Sequence, residues 1–338
     1  MSRRFFLTGA TGFVGGHLAE ALSQQENQVI ALARPSSDTT FLDSLDNVTV
    51  ERGELSDTAK INQLVADVDV VIHCAAKVGD WGSVEDYRAV NVEGLRSVLD
   101  ACKGQGISRF VLMSSLGVYP TKHHNNTTEE EPLPKRHPDG YSQSKAEAEQ
   151  LARKYHNELG VPVVILRPGF VYGPRDRTVM PKLIEGLRQG TIRYPGGGNG
   201  ALNTIYVGNL LQATFLAVDR MEAVGQTYNL TDGEFVSKRQ FIEAIADAMK
   251  LPHPTRTPPL WLARWITSIA EGMAKMRGAK EAPFFTSAKL KFLGYNLDFS
   301  IDKAKLELGY HPRFPFSDAM FLTMEWYREH YGSPQPVS

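Results

Sequence analysis

Polar and apolar positions divide the first half of this chain into two alternating regimes. Short, nearly unbroken apolar runs rich in Val and Ile occupy 5–7, 29–33, 48–51, 68–75, 110–114 and 161–166. Between them, at 12–24, 58–66, 84–104 and 142–159, apolar residues recur at helical spacing. Strands that are apolar on successive residues are buried on both faces, which requires a parallel sheet covered by helices. With right-handed crossovers the pattern predicts an α/β, doubly wound parallel sheet. After Pro168 the alternation fades, and Gly173-Pro174, Pro195-Gly196-Gly197-Gly198, Pro258-Pro259, Pro312 and Pro315 punctuate the chain. Residues 1–170 are therefore read as the sheet domain, with strands near 204–207 and 227–230 returning to it. Residues 171–338 supply mainly a smaller lobe, and the tail from Gly332 is expected to fray. Within that lobe Trp261, Leu262, Trp265, Ile266, Ile269 and Met273 form one helical stripe behind a pair of prolines. The first reading of the stripe is a core helix; the alternatives are a lid lining an apolar pocket and shallow contact with a membrane surface. Arg264 and Glu271 interrupt it well short of the roughly 20 apolar residues of a membrane span.

The first strand runs into Thr8-Gly9-Ala10-Thr11-Gly12-Phe13-Val14-Gly15 and then a helical pattern. Glycines at this strand–turn–helix junction have separate uses: Gly9 turns the backbone, Gly12 clears space for a pyrophosphate, and Gly15 lets helix and strand pack closely. The free N–H groups of the new helix then face the phosphates. This turn makes the sheet domain a dinucleotide-binding, Rossmann-type domain, with Gly9, Thr11, Gly12, Phe13, Val14 and Gly15 as cofactor contacts. The second strand ends in Ala33-Arg34-Pro35-Ser36-Ser37, with no carboxylate for a ribose 2′-OH. Arg34 can instead pair with a 2′-phosphate, so NADP(H) is expected over NAD(H).

Composition narrows the class further. Of 338 residues, 42% are hydrophobic and 22% charged, and the net charge is −1, so no global field argues for nucleic acid. The two cysteines, Cys74 and Cys102, fall in predicted core elements; they exclude a disulfide scaffold and fit a reducing, cytoplasmic compartment. Met1–Arg4 leaves no room for a signal peptide before the first strand. His123-His124 lie in a polar loop without completing ligands, so no metal is expected.

Tyr141-Ser142-Gln143-Ser144-Lys145 places Tyr141 and Lys145 on one helical face. A neighbouring ammonium and a cationic nicotinamide lower a phenol's pKa and let it shuttle a proton to a substrate oxygen. Ser114-Ser115 end a parallel strand, where a hydroxyl points into the ligand crevice.

Taken together, Thr8–Gly15, Ala75-Ala76, Asn91-Val92-Glu93-Gly94, Ser114-Ser115, Tyr141–Lys145 and the stretch 166–174 resemble the extended short-chain dehydrogenase/reductases. Within them the chain is most similar to the 3β-hydroxysteroid dehydrogenase and dihydroflavonol-reductase-like branch. The resemblance implies that Tyr141 is the general acid/base, that Lys145 binds the nicotinamide ribose and tunes Tyr141, and that Ser115, four residues before Tyr119, polarises the substrate oxygen. It also implies cofactor contacts at Glu54, Leu55, Ala75, Ala76, Lys77 and Pro168, a supporting role for Asn91, and a homodimer through the helices at 84–104 and 142–159. Three positions depart from the family pattern. Glu54 stands for an adenine-side Asp, Gly208 replaces a helix-capping carboxylate, and Leu202-Asn203 stand where nucleotide-sugar enzymes carry an arginine. The implied activity is NAD(P)-dependent interconversion of a secondary alcohol and a ketone on an apolar substrate: a 3-hydroxy or 3-keto acid, a sterol-like alcohol or a flavonoid-like ketone. The alternatives are a nucleotide-sugar epimerase/dehydratase with retained NAD and a non-catalytic dinucleotide sensor. Expected partners are a small-molecule substrate and a second subunit, with peripheral membrane contact open and no nucleic acid.

Overall fold

A computed structural model describes residues 2–79, 81–277 and 286–332. Seven parallel strands form the central sheet: β1 (Arg4–Thr8), β2 (Gln28–Ala33), β3 (Val48–Arg52), β4 (Val70–His73), β5 (Arg109–Met113), β7 (Val163–Pro168) and β10 (Thr227–Leu230), in the order β10-β7-β5-β4-β1-β2-β3. The helices in chain order are α1 (Phe13–Gln24), α2 (Thr40–Asp43), α3 (Thr58–Val65), α4 (Val84–Arg88), α5 (Gly94–Cys102), α6 (Gly140–Leu159), α7 (Met180–Arg188), α8 (Val207–Asp219), α9 (Lys238–Met249), α10 (Leu260–Met276), α11 (Ser287–Gly294) and α12 (Phe316–Tyr331). Short parallel pairs join β6 (His124–Thr127) to β11 (Leu297–Phe299) and β8 (Phe170–Tyr172) to β9 (Thr204–Tyr206).

The period-two geometry of a strand sorts neighbouring residues onto opposite faces. Phe5 and Leu7 pack with Leu18 and Leu22 of α1 and Leu210 and Ala213 of α8, whereas Phe6 packs with Ile61 of α3, Leu95 and Leu99 of α5 and Ala152 of α6. Both faces are dry, as the unbroken apolar runs require. The helical span at 84–104 is continuous but not uniform. A π-helical turn over Ala89–Glu93 separates α4 from α5 and turns Asn91 inward, where it is buried.

Two expectations need correction. The strand near 227–230 does return to the sheet, pairing Thr227 with Ile165 on the free edge of β7. The one at 204–206 does not: it pairs with β8, Phe170 opposite Thr204. The chain leaves the sheet at Pro168-Gly169, and Gly169 lies so close to the Asn203 carbonyl that a Cβ would sit 1.9 Å from it. The second correction concerns the stripe on α10, which is not core. Trp261 and Trp265 are 70% and 67% exposed, and Ile266, Ile269 and Met273 are exposed as well. Ala263 and Thr267, on the opposite side, are the buried positions. The core of the smaller lobe is instead built from Tyr172, Met180, Phe241, Ile245, Met324 and Tyr327. The tail beyond Gly332 lies outside the described residues.

The order of strands reverses between β1 and β4, and there the two strand ends nearly touch. A Cβ on Gly9 would meet the Ala75 nitrogen at 2.6 Å, and one on Gly15 would meet the Gly9 carbonyl oxygen at 2.1 Å. Overpacking of this kind costs about 1–3 kcal/mol. Gly15→Ala is therefore expected to lower the urea midpoint and to weaken cofactor binding in the same protein, because the shift falls in the turn itself. Gly272→Ala in α10, where a Cβ meets nothing within 4 Å, is the matched control and is expected to raise stability by about 0.5–1 kcal/mol.

Candidate active site

A cleft of about 1510 Å³ opens at the carboxyl ends of the strands, at the reversal between β1 and β4, the location expected for ligands on an open α/β sheet. Its walls bring together every residue expected at the cofactor: Gly9, Thr11, Gly12, Phe13, Val14, Gly15, Arg34, Glu54, Leu55, Ala75, Ala76, Lys77, Tyr141, Lys145 and Pro168. Ser115 lines the same cleft.

The cradle suits a pyrophosphate. Gly12 is the N-cap of α1 with no side chain to cap it, and the first turn carries no acidic residue, so the helix N–H groups and dipole are left for an anion. Thr8 braces the turn from beneath, sharing a 3.0 Å hydrogen bond with buried His73 and accepting from the Ala75 N–H at 3.2 Å. At the other end Arg34 is exposed and lines the cleft. Arg52 orders its loop by donating to the Ser37 carbonyl at 2.6 Å and to the Thr39 hydroxyl. Asp38 turns away to cap its own turn, accepting from the Thr40 N–H and hydroxyl at 3.0 and 2.8 Å.

Ser115, Tyr141 and Lys145 meet where β5 ends and α6 begins. Asp139 caps α6, accepting from the Ser142 N–H at 2.7 Å, which fixes the first turn bearing Tyr141. The Ser115 oxygen accepts from the Gly117 N–H at 3.0 Å. Burial pushes the Tyr141 phenol up to about 12, opposed by a hydrogen bond with Ser115. Lys145 points to β5, where Nζ donates to the Met113 carbonyl at 2.6 Å. Burial lowers Lys145 to about 8, against the pull of Cys74 and Glu149. The same burial pushes the Cys74 thiol up to about 12, which leaves it inert.

Ser114, the neighbour of Ser115, is spent on structure. Its hydroxyl donates to Glu149 at 2.6 Å, and Arg167 grips the same carboxylate at 2.9 and 2.6 Å. Arg167 also donates to the Tyr119 hydroxyl at 2.7 Å, and Tyr119 donates to Asn229 at 2.9 Å. Asn91 accepts from the Lys77 N–H at 2.7 Å and donates to the Ser144 hydroxyl at 2.8 Å, tying the β4 end to the helix of Tyr141 and Lys145. The missing capping carboxylate near Gly208 is replaced from a distance: Asp232 accepts from the Tyr206 N–H and from Asn209, both at 2.8 Å. Sequence reading missed Arg52, Glu149, Arg167 and Asp232, because each acts across the fold without a local motif. Both ring nitrogens of His124 are taken by Thr127 and Pro120. Among the described residues no group of three His, Cys, Asp or Glu could hold a metal, and no helix is long and apolar enough to cross a membrane.

With this geometry in place, comparison with known proteins assigns the chain to a class. Residues 5–231 match the NAD dependent epimerase/dehydratase family, and the chain belongs to that family. Within it the chain is an extended short-chain dehydrogenase/reductase, an NAD(P)-dependent oxidoreductase. It is 28% identical over 328 residues to the 2-alkyl-3-oxoalkanoate reductase of Stenotrophomonas maltophilia, covering 94% of this chain and 97% of that one. It is 30% identical over 312 residues to the 4-hydroxy-2-methyl-3-oxo-4-farnesyl-3,4-dihydroquinoline-1-oxide ketoreductase of Stigmatella aurantiaca, with 92% of each chain covered. Among solved structures, gox2253 superposes with a TM-score of 0.82 at 26% identity over 99% of this chain and all of that one. The UDP-glucuronic acid 4-epimerase of Bacillus cereus shares the fold, with a TM-score of 0.76 at 22% identity over 97% and 99% of the two chains.

Proposed function

We propose that this enzyme interconverts a ketone and a secondary alcohol on a largely apolar carbon skeleton, with NADP(H) preferred. One observation carries the reading. The Ser115–Tyr141 pair opens onto a substrate end walled by Leu116, Phe170, Phe292, Leu297 and Phe299. The nicotinamide supplies or accepts the hydride. The chain's own residues manage the oxygen. Ser115, its lone pair engaged by the Gly117 N–H, donates its proton to the substrate carbonyl and polarises it. Tyr141 delivers a proton as charge develops on that oxygen. Lys145, whose Nζ donates to the Met113 carbonyl, is the residue this reading assigns to the ribose. Relatives named as reductases of 3-oxoalkanoates and of a farnesylated ketone support the apolar class. Leu202-Asn203, in place of a diphosphate-binding arginine, weighs against a nucleotide-sugar epimerase.

Tyr141→Phe is expected to lose about 10²–10⁴ in kcat with cofactor affinity kept, and Ser115→Ala to lose less. Stopped-turnover assays at 340 nm with paired cofactor titrations check this; near-native turnover in Tyr141→Phe rejects the assignment. Arg34→Ala is expected to shrink the NADP(H)-over-NAD(H) ratio of kcat/KM by about tenfold, the worth of one charge-assisted contact. Equal or better efficiency with NAD(H) in the native enzyme rejects the preference.

Two readings concern surfaces. The outward Trp261, Trp265, Ile269 and Met273 on α10 support peripheral contact with a membrane face. The family resemblance supports a homodimer through the helices at 84–104 and 142–159, in a cytoplasmic setting. Light scattering is expected to give twice the chain mass, and flotation with anionic vesicles to carry the protein, less so for Trp265→Ala. A monomer mass or no flotation removes the corresponding reading.

A further inference from the structure

Lys291 also lines the cleft, and nothing in the chemistry above uses it. It stands on α11, whose start is fixed twice: Thr286 caps it, and the Glu271 carboxylate of α10 accepts from the Ser287 N–H and hydroxyl at 2.6 and 2.8 Å. That tie explains why a charged residue interrupts the apolar run of α10, and it locks the face of α11 that turns Ala288, Lys291 and Phe292 to the cleft.

The Lys291 ammonium donates to the carbonyls of Gly117 and Tyr119, each at 2.9 Å. Both belong to the turn that follows Ser115, and the Gly117 N–H is the donor that engages the Ser115 oxygen. The ammonium is thus anchored two and four residues along the chain from the serine expected to hold the substrate oxygen. An ammonium has three donors, so one is left. No described carboxylate pairs with it within 4 Å; Asp139, whose charge reaches it, is committed to the α6 N–H groups. Burial lowers Lys291 to about 8, so the charge is present at neutral pH but poorly compensated. Leu116, Phe170, Phe292, Leu297 and Phe299 line the same cleft. A partly buried cation with a spare donor, set in an aromatic and aliphatic surround, suits a ligand with an anionic head on a hydrocarbon body.

We propose that Lys291 forms a carboxylate subsite, and that the substrate is an oxo or hydroxy acid whose carboxylate lies close to the reacting carbon. The proposal rests on the alcohol–ketone chemistry above and deepens it. The carboxylate accepts the third Lys291 proton while the neighbouring oxygen is held by Ser115 and Tyr141. The head group then fixes which carbon faces the hydride, and the chain lies along the aromatic wall.

The test compares 3-hydroxydecanoate with its methyl ester as substrates for oxidation, in the native enzyme, Lys291→Gln and Lys291→Arg. Gln keeps donors for the two carbonyls and removes the charge; Arg keeps the charge. The acid-over-ester ratio of kcat/KM is expected to fall about tenfold or more in Lys291→Gln and to recover in Lys291→Arg, the signature of a lost charge-assisted contact. Melting curves establish that both variants are folded. An unchanged ratio in folded Lys291→Gln overturns the subsite. Octanoate binding by calorimetry to the cofactor-loaded protein separates the two levels. If neither alcohol is oxidised, yet octanoate binds the native enzyme and Tyr141→Phe and is lost in Lys291→Gln, the subsite stands and the reaction assigned above fails. No octanoate binding, or UDP binding that depends on Lys291, overturns the carboxylate assignment.

Discussion

The whole molecule depends on one backbone-to-backbone approach. At the reversal of strand order, the turn after β1 presses on the end of β4 on one side and on the first turn of α1 on the other, with no room for a side chain at Gly9 or Gly15. That contact sets the cleft. It holds the N-terminus of α1 at the floor, keeps the ends of β4 and β5 level with it, and so brings the Ala75–Lys77 wall and the Ser115 strand end to one opening. A parallel sheet tolerates such proximity only where the neighbouring connections diverge to opposite faces.

Behind the opening lies a second constraint, electrostatic in kind. Glu149 and Arg167 are fully buried and satisfy one another with two hydrogen bonds, while Ser114 and Tyr119 take the remaining positions. Leaving either charge alone in such a place costs about 3–5 kcal/mol. Because Glu149 is one helical turn beyond Lys145, the pair also fixes the register of α6 against β5 and β7, and with it the height of Tyr141 over the cleft. Among the charged residues that line the cleft, two lysines are held on backbone carbonyls, Lys145 on Met113 and Lys291 on Gly117 and Tyr119. Neither is neutralised by a carboxylate at contact distance, so the cleft offers positive charge to an incoming anion at both the cofactor and the substrate ends.

The same sheet and turn serve epimerases of nucleotide sugars and reductases of apolar ketones. In this chain the smaller lobe supplies part of the cleft's wall. Here that wall is made by Phe170 from the strand leaving the sheet, Phe292 and Lys291 from α11, and Leu297 and Phe299 from β11. These elements come from two distant parts of the chain, and α10 braces α11 while its own tryptophans face away.

Ser115 and most of the cofactor-side residues were expected from the family resemblance and line one cleft; the doubly wound sheet, the glycine turn and the Tyr141–Lys145 spacing were legible in the chain itself. Each is a local statement: a run of apolar residues, a spacing of glycines, two residues one helical turn apart. What stayed out of reach was non-local. Unbroken apolar runs say that strands are buried but not which free edge they find, so 227–230 joined β7 while 204–206 was intercepted by β8. A helical stripe says that one face is apolar but not that a neighbour covers it, so α10 buries Ala263 and Thr267 and leaves Trp265 outside. Asp232 for a missing cap, Arg52 under the Arg34 loop and Lys291 beside Ser115 carry no motif, because their partners are tens or hundreds of residues away. Sequence by itself determined what could form locally and which chemistry the strand ends would carry. Only the tertiary structure decided which charges meet and what lines the substrate end, since those contacts are set by packing between segments whose separation along the chain leaves no periodic trace.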